Sequence, residues 1–363
     1  MSLWVDKYRP KKLENIPYND SVTQNLKALA SSGDFPHLLV YGPPGSGKKT
    51  KIYATLNELF GLQSERLKID IRTFTLPSNR KLEFNVLSSP CHLEITPSDM
   101  GNNDRIVIQD LLKEVASTEQ VDFGSSKNGM KHRFKVVILN EADHLSRDAQ
   151  AALRRTMEKY SANIRLIMIA NTISSIISPI KSRTLLVRMP APSEEDIASI
   201  LSHIAAKEAV KFNPPDDGKK KEFFINVARH SDRNLRKALL SFETVLMQAE
   251  LITVRDPKET FINLDWETVI QNLSKSIFSN RSVANLAKVR VVFYELLAHC
   301  IPARIILKKL LFDLIDLCQK KPKITTSLVE IAANFDERLS LGQKSIFHLE
   351  GFVAKAMLAL ENQ

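Results

Sequence analysis

Leu38-Leu39-Val40-Tyr41-Gly42-Pro43-Pro44-Gly45-Ser46-Gly47-Lys48-Lys49-Thr50 decides how the rest of this chain is read. Four apolar residues predict a short buried strand, the glycines a tight turn, and the lysines the start of a helix. A strand, glycine turn and helix start in that order wraps backbone N–H groups around phosphates and aims a helix N-terminus at them. The spacing Gly-x-x-x-x-Gly-Lys-Ser/Thr is met from Gly42 to Lys48, and Lys48 is placed to reach the outer phosphates. The last position departs from the pattern. Lys49 stands where a hydroxyl would hold Mg²⁺.

Working outward, Leu3 to Pro17 reads as an ordered arm rather than a helix, and Asp20 to Ala30 as an amphipathic helix ended by Gly33 and Pro36. After the turn, a helix is expected from Lys48 to Phe60, with Ile52, Leu56, Leu59 and Phe60 on one face and Gly61 as its stop. Leu67–Arg72 and Leu82–Val86 alternate at period two around Pro77-Ser78-Asn79, which predicts a hairpin inserted at about 66–90, ahead of a core strand at His92–Ile95. A helix follows from Asp104, with Ile108, Leu111, Leu112 and Val115 inward. Gln120 to Met130 reads as a polar loop. Phe134–Leu139, Leu166–Ile169 and Leu185–Val187 read as buried strands, with a helix capped by Ser146 between the first two. Strands alternating with helices predict a parallel α/β sheet with helices on both faces. From Ser193 onward only helical periodicity is visible, broken at Asn213–Gly218 and again near Asp256-Pro257. This divides the chain into 1–190, 191–255 and 256–363, the last two all helical. In the last, Leu296-Leu297, Ile301, Ile305-Ile306, Leu310-Leu311, Phe347, Leu349, Phe352, Val353 and Met357 form broad apolar faces, which suit a bundle core or a second subunit equally.

The 363 residues suffice for two or three cores. No apolar run is long enough to span a bilayer, and the N-terminus has no signal-peptide layout. Cys91, Cys300 and Cys318 are too far apart for metal-ligand spacing, so no metal site is expected from them. Lys+Arg 51 against Asp+Glu 41 gives +10, which suits an acidic partner such as nucleic acid without requiring one. The run Lys219-Lys220-Lys221 reads as solvated surface.

A second polar element reinforces the glycine loop. Val136-Val137-Ile138-Leu139 delivers Asn140-Glu141 at its C-terminal end, where ligands sit in open α/β sheets. In a phosphate-loop ATPase an Asp at the first of these positions orients Mg²⁺. Here it is Asn140, while Glu141, able to polarise a water, is present. Lys49 and Asn140 thus both withdraw a ligand from one metal ion. An extra ammonium can neutralise phosphate directly, and a neutral Asn140 supplies no charge to a cation. The expectation is nucleotide binding with weak or absent Mg²⁺, and slow or absent hydrolysis.

These motifs, taken in order, resemble the AAA+ clamp-loader ATPases, and among them a small subunit of eukaryotic replication factor C. Trp4-Val5-Asp6-Lys7-Tyr8-Arg9-Pro10 resembles their opening arm, Asn171 their sensor 1, Ser182-Arg183-Thr184 their Ser-Arg-Cys motif with Thr184 in place of Cys, and Asn234-Leu235-Arg236-Lys237-Ala238 their sensor 2. Phe335-Asp336-Glu337-Arg338-Leu339-Ser340-Leu341-Gly342, the hairpin, Lys49 and Asn140 resemble one class of these subunits. The resemblance implies a RecA-like AAA+ domain, a small helical lid and an all-α collar. It implies ATP or ADP bound by Val5, Tyr8, Arg9, Pro10, Ile16, Pro17, Gly42, Pro43, Pro44, Gly45, Ser46, Gly47, Lys48, Lys49, Thr50, Asn171 and Arg236. It further implies an arginine finger, Arg183, acting on the neighbouring subunit's ATP, with Glu141 the remnant of this chain's own catalytic pair.

The implied partners are a large subunit and three other small subunits in a heteropentamer, the ring-shaped sliding clamp PCNA, and primer–template DNA, in the nucleus and with no membrane. An arginine at a helix N-terminus makes a good backbone-phosphate clamp, so Arg105 is a DNA candidate, with Arg147 and Arg154 following on the next helix. No aromatic residues interleave them, so base readout is not expected. Three readings stay open at this point: a nucleotide-binding subunit acting through its neighbour, a fully competent DNA-stimulated ATPase, and a scaffold holding trapped ADP.

Overall fold

The computed structural model describes residues 2–75, 81–117, 134–161, 163–213, 217–248, 251–253, 264–318 and 321–361. The chain divides into two compact units, Met1–Phe261 and Ile262–Gln363. The predicted hairpin turn at Pro77-Ser78-Asn79, the loop Gln120–Met130 and the break at Asp256-Pro257 lie outside the described residues.

In the first unit the arm is not wholly irregular. Trp4–Lys7 forms one helical turn, α1, and Leu13–Asn15 a 3₁₀ turn. Helix α2 (Asp20–Ser31) leads to strand β1 (Leu38–Tyr41), and helix α3 (Lys48–Phe60) follows the glycine loop and stops at Gly61, whose φ is 67°. Strands β2 (Lys68–Thr75) and β3 (Lys81–Ser88) are the inserted hairpin, paired from Lys68↔Ser88 to Thr75↔Lys81. Then come β4 (His92–Ile95), α4 (Asp104–Ser117), β5 (Lys135–Leu139), α5 (Arg147–Tyr160), β6 (Ile164–Ala170), α6 (Ser178–Lys181) and β7 (Leu185–Arg188).

The sheet order is β2-β3-β4-β5-β6-β1-β7. From β4 to β7 every pairing is parallel, whereas β2 and β3 are antiparallel, so the hairpin extends the sheet at one edge. Alternate residues of each central strand serve opposite cores, as a period of two requires. Leu39, Val137 and Leu139 pack with Ile108, Leu111 and Leu112 of α4 and Leu153 of α5. Leu38, Val40, Val136 and Ile138 pack with Ile52, Leu56 and Leu59 of α3 and Leu26 of α2. Both faces are covered, which is why these strands read as continuous apolar runs. Fully burying one such side chain contributes about 1.5–3 kcal/mol.

Beyond β7, helix α7 (Glu194–Lys207) opens with a capping box in which Ser193 and Asp196 bond each other's backbone. Strand β8 (Lys211–Asn213), α8 (Asp217–His230), α9 (Leu235–Gln248) and β9 (Leu251–Thr253) complete the unit. Parallel pairing of β8 with β9 corrects the all-helical reading of this region. Each strand has three residues, too few for a period to show. Phe212, Phe223, Phe224 and Phe242 form the core of these helices in edge-to-face pairs.

Among its described residues the second unit has five helices, α10 (Asp265–Ser279), α11 (Val283–Ala298), α12 (Ala303–Leu317), α13 (Pro322–Leu341) and α14 (Ser345–Glu361). Most of the broad apolar faces close on one core, among them Leu310, Leu349, Phe352 and Val353. Ile305 and Phe347 do not join them and are exposed. No helix among the described residues is long and apolar enough to cross a membrane.

Candidate nucleotide site

The glycine loop is held from both sides. A Cβ on Gly42 would lie 1.9 Å from the Met189 carbonyl oxygen, and one on Gly45 1.8 Å from Asn234 Oδ1. Gly45 and Gly47 also have φ of 74° and 80°, in the left-handed region that glycine adopts freely. Tyr18 presses its hydroxyl on Gly47, 2.0 Å from where a Cβ would be. Lys51, fully buried on α3, donates to the carbonyls of Tyr18 and Asn19 at 3.0 and 3.2 Å and to Thr23 Oγ1 at 2.8 Å. This ties the end of the arm to the helix behind the loop.

Inside the loop, Lys48 Nζ bonds the Gly42 and Pro43 carbonyls at 2.6 and 2.9 Å and Asn171 Oδ1, at the end of β6, at 3.0 Å. Burial pushes Lys48 down to about 8, with Asp143 raising it and Arg236 lowering it further. Arg236 on α9 is therefore within electrostatic reach of Lys48. The Asn234 side chain accepts from the backbone N–H groups of Arg236 and Lys237, capping the start of α9. Ser46 Oγ is buried and finds no hydrogen-bond partner among the described residues. An unpaired buried hydroxyl within a cradle of loop N–H groups fits a phosphate oxygen.

The metal half of the site is different. Lys49 turns away from the loop and forms an ion pair with Glu94 on β4. Asn140 Nδ2 donates to the same oxygen, Glu94 Oε1, at 2.6 Å, and the Tyr53 hydroxyl donates to Oε2. Burial opposes ionisation of Glu94, but the hydrogen bonds from Lys49, Tyr53 and Asn140 hold its carboxyl below the ordinary value. Burial and Glu94 push Tyr53 up, with Arg9 near enough to oppose the rise. A divalent ion needs oxygen acceptors around it. Here an ammonium and an amide N–H surround one acceptor, and that acceptor is satisfied. Among the described residues no three His, Cys, Asp or Glu side chains group to hold a metal. At the Lys49 and Asn140 positions the residues present do not fit Mg²⁺. The expectation that Lys49 lies on phosphate also differs from this geometry, in which its ammonium is on Glu94. Glu94 was missed in the sequence. A lone carboxylate in a buried four-residue strand was the available signal.

Glu141 sits at φ 50°, a strained conformation for a non-glycine residue, and its Oε2 accepts from Ser98 Oγ at 3.2 Å. Thr50 lies in the first turn of α3. In the arm, Trp4 packs edge-on against Phe242 at 5.5 Å, its backbone N–H bonds the Glu243 carboxylate, and Val5 and Tyr8 join the same core. Tyr8 and Lys7 both bond Glu208 Oε1 at 2.6 Å, and Arg9 bonds Asp6 at 2.9 Å. The arm is thus anchored on the helices after β7, while Ile16 is buried in the α2–α3 core; Pro10 is half-buried and Pro17 exposed.

Arg183, just after α6, pairs with Glu158 at 2.6 Å and donates to the Pro179 carbonyl at 2.9 Å. Arg154 reaches the same Glu158 at 3.5 Å. Buried Asp104 accepts from the backbone and hydroxyl of Ser146, the cap of α5, at 2.7 and 2.9 Å. That bond sets the starts of α4 and α5 side by side, and with them exposed Arg105 and Arg147.

A doubly covered sheet with a glycine-loop lysine, an asparagine on the adjacent strand and a helical segment carrying Arg236 defines a nucleotide-binding AAA+ protein. Comparison with known families agrees. Residues 18–193 match "DNA polymerase III, delta subunit", residues 199–247 match "RCF1/5-like, AAA+ ATPase lid domain", and residues 266–363 match "Replication factor C subunit 3, C-terminal domain". The chain is 54% identical to replication factor C subunit 5 of Saccharomyces cerevisiae over 99% of this chain and 100% of that one. It is 46% identical to replication factor C subunit 3 of Homo sapiens over 98% of this chain and 96% of that one. A solved RuvB from Thermotoga maritima is 17% identical with a TM-score of 0.49, covering 74% of this chain and 78% of that one, a likeness too weak to argue from. The chain belongs to the replication factor C family, in the line of subunit 5 of yeast and subunit 3 of human.

Proposed function

We propose that this chain is a clamp-loader small subunit that binds adenine nucleotide in the Gly42–Thr50 loop and acts on ATP chiefly in a neighbour's site. In this reading it assembles with a large subunit and three other small subunits, and helps place the PCNA clamp on primer–template DNA in the nucleus. The observation that carries it is the asymmetry of the site. The phosphate half is built, with Lys48, Asn171 and the unpaired Ser46 hydroxyl in one cradle. The metal half is not, because the two positions that would ligate the ion are donors to Glu94.

Phosphoryl transfer relies on a metal ion to neutralise charge developing between the β- and γ-phosphates. Without one, hydrolysis in this pocket is slow. Arg183 supplies the complementary part, a guanidinium for the γ-phosphate held by the adjacent subunit. Such an arginine accelerates hydrolysis by ~10³–10⁵, roughly 4–7 kcal/mol of barrier. The test compares Lys48→Ala and Arg183→Ala in the assembled pentamer. A large loss of hydrolysis with Arg183→Ala and a small one with Lys48→Ala supports the proposal. Single-turnover hydrolysis by the isolated chain at the rate of ordinary phosphate-loop ATPases would falsify it.

A further inference from the structure

The two positions that depart from the phosphate-loop pattern lie 91 residues apart in sequence, at Lys49 and Asn140. They meet on a single atom, Glu94 Oε1. The other carboxylate oxygen takes the Tyr53 hydroxyl from one turn along α3. The Glu94 side chain is 6% exposed, whereas the Lys49 side chain is 39% exposed, at the mouth of the cluster. Lys49 Nζ also lies 5.7 Å from the centre of the Tyr53 ring, on its face. His92, two residues before Glu94 on the same strand, is pushed down to about 4 by burial and adds no charge at neutral pH. A buried carboxylate is tolerated only when paired and hydrogen-bonded, and here it is both.

This arrangement is the electrical inverse of a metal seat. There, acceptors surround a cation. Here, donors surround an anion that belongs to the protein, and the cation is a side chain. An Mg²⁺ ion approaching Glu94 would meet an ammonium and an amide N–H, and find both carboxylate oxygens already taken by donors. We propose that Glu94 is a positioning residue that seats the Lys49 ammonium in place of a divalent ion, so that this site takes adenine nucleotide as the metal-free anion. The inference rests on the nucleotide-binding reading and deepens it. It assigns Glu94 and Tyr53 a role in the site, and it gives Lys49 a partner other than phosphate.

The test uses the full-length chain and a fluorescent adenine diphosphate, titrated in excess magnesium and again in excess EDTA. The wild-type chain is expected to bind no tighter in magnesium than in EDTA, and weaker to the extent that excess magnesium holds the diphosphate as its metal complex in solution. The double variant Lys49→Thr with Asn140→Asp restores acceptors beside Glu94, and is expected to bind at least ~10-fold tighter in magnesium than in EDTA. Glu94→Gln removes the anchor of Lys49, leaves its ammonium free to turn to phosphate, and is expected to tighten binding in EDTA.

A wild-type affinity that falls tenfold or more on chelation overturns the inference and leaves the nucleotide-binding reading standing. So does a folded double variant indifferent to magnesium. If the double variant fails to fold, Glu94→Gln decides, and unchanged or weaker binding in EDTA overturns the inference. If the wild-type chain binds no nucleotide, that reading fails, and the cluster is judged by nucleotide-free melting. Magnesium is then expected to raise the melting temperature of the double variant and not of the wild type, and an unresponsive variant overturns the inference as well.

Discussion

Arg183 and Glu158 are joined by an ion pair of 2.6 Å, and Arg154 reaches the same carboxylate at 3.5 Å. The arginine proposed to act on a neighbour's phosphate is therefore neutralised within its own subunit. Reaching a γ-phosphate means exchanging one anion for another. In the assembled complex, Arg183→Ala is expected to lower hydrolysis at the affected site by ~10³ or more. Glu158→Gln, which keeps an acceptor but removes the competing charge, is expected to lower the apparent KM for ATP and leave kcat little changed. Steady-state kinetics of the two complexes check both statements, and wild-type hydrolysis by the Arg183→Ala complex would remove the role in trans.

Lys48 makes nucleotide binding depend on pH. Burial pushes it down to about 8 in the unliganded chain, from 10.5. Only the ammonium form attracts phosphate, so the competent fraction falls as pH rises through that value. A bound polyphosphate restores a counter-charge and lifts Lys48 again, so binding takes up a proton above about pH 8. The expected result is constant affinity at lower pH and a loss approaching tenfold per unit between about pH 8 and pH 9.5. Lys48→Arg keeps its charge throughout this range and is expected to flatten the profile, whatever it does to the absolute affinity. Nucleotide titrations at several pH values separate the two.

Much of the fold and half of the site are legible in the residues alone. Gly61 stops α3, Ser146 caps α5, and the period-two stretches at β2 and β3 pair as read, because each rests on chemistry within a few residues. Legible too is the departure of Lys49 and Asn140 from the phosphate-loop pattern, from residue type alone. What is not legible depends on direction or on distance in sequence. Nothing local says that Lys49 points to β4 rather than to the loop, or that Glu94 waits there. The parallel pairing of β8 with β9 joins residues some 40 positions apart through three-residue strands. The turn at Trp4–Lys7 forms because the Trp4 ring and backbone find Phe242 and Glu243, partners no window around the arm contains.

Gly45 and Lys51 give the loop its rigidity by different means, and their variants should fail differently. A methyl at Gly45 would strike the Asn234 side chain and strain a φ of 74°, so Gly45→Ala is expected to disturb the cap of α9 and weaken nucleotide binding, with modest effect on global stability. Lys51 is fully buried and satisfies two carbonyls and a hydroxyl. Lys51→Met leaves the Tyr18 carbonyl without its donor in the interior, while the Asn19 carbonyl keeps the Thr23 N–H, at a cost of about 1–3 kcal/mol. Denaturant unfolding of the full chain is expected to show a lower midpoint for Lys51→Met and a near-normal one for Gly45→Ala. Equal midpoints would mean that the loop, and not the fold beneath it, bears both changes.

Asp104 is where a DNA-binding role for the two helix starts can be tested without touching an arginine. Its buried carboxylate holds the backbone and hydroxyl of Ser146, and so fixes Arg105 at the start of α4 beside Arg147 at the start of α5. Two helix N-termini side by side add their partial positive charge to the two guanidinium groups, a surface suited to successive phosphates of one strand. If Arg105 holds a phosphate, removing it takes away one such contact, and each contributes about one unit to the slope of log affinity against log salt. Arg105→Ala in the assembled complex is therefore expected to weaken primer–template binding and reduce that slope by ~1. Asp104→Asn keeps the shape but loosens the grip on Ser146, and is expected to weaken binding while leaving the slope nearly intact, because both charges remain. If Arg105→Ala leaves the slope unchanged while Asp104→Asn lowers affinity, the helix starts matter to the fold and DNA passes elsewhere.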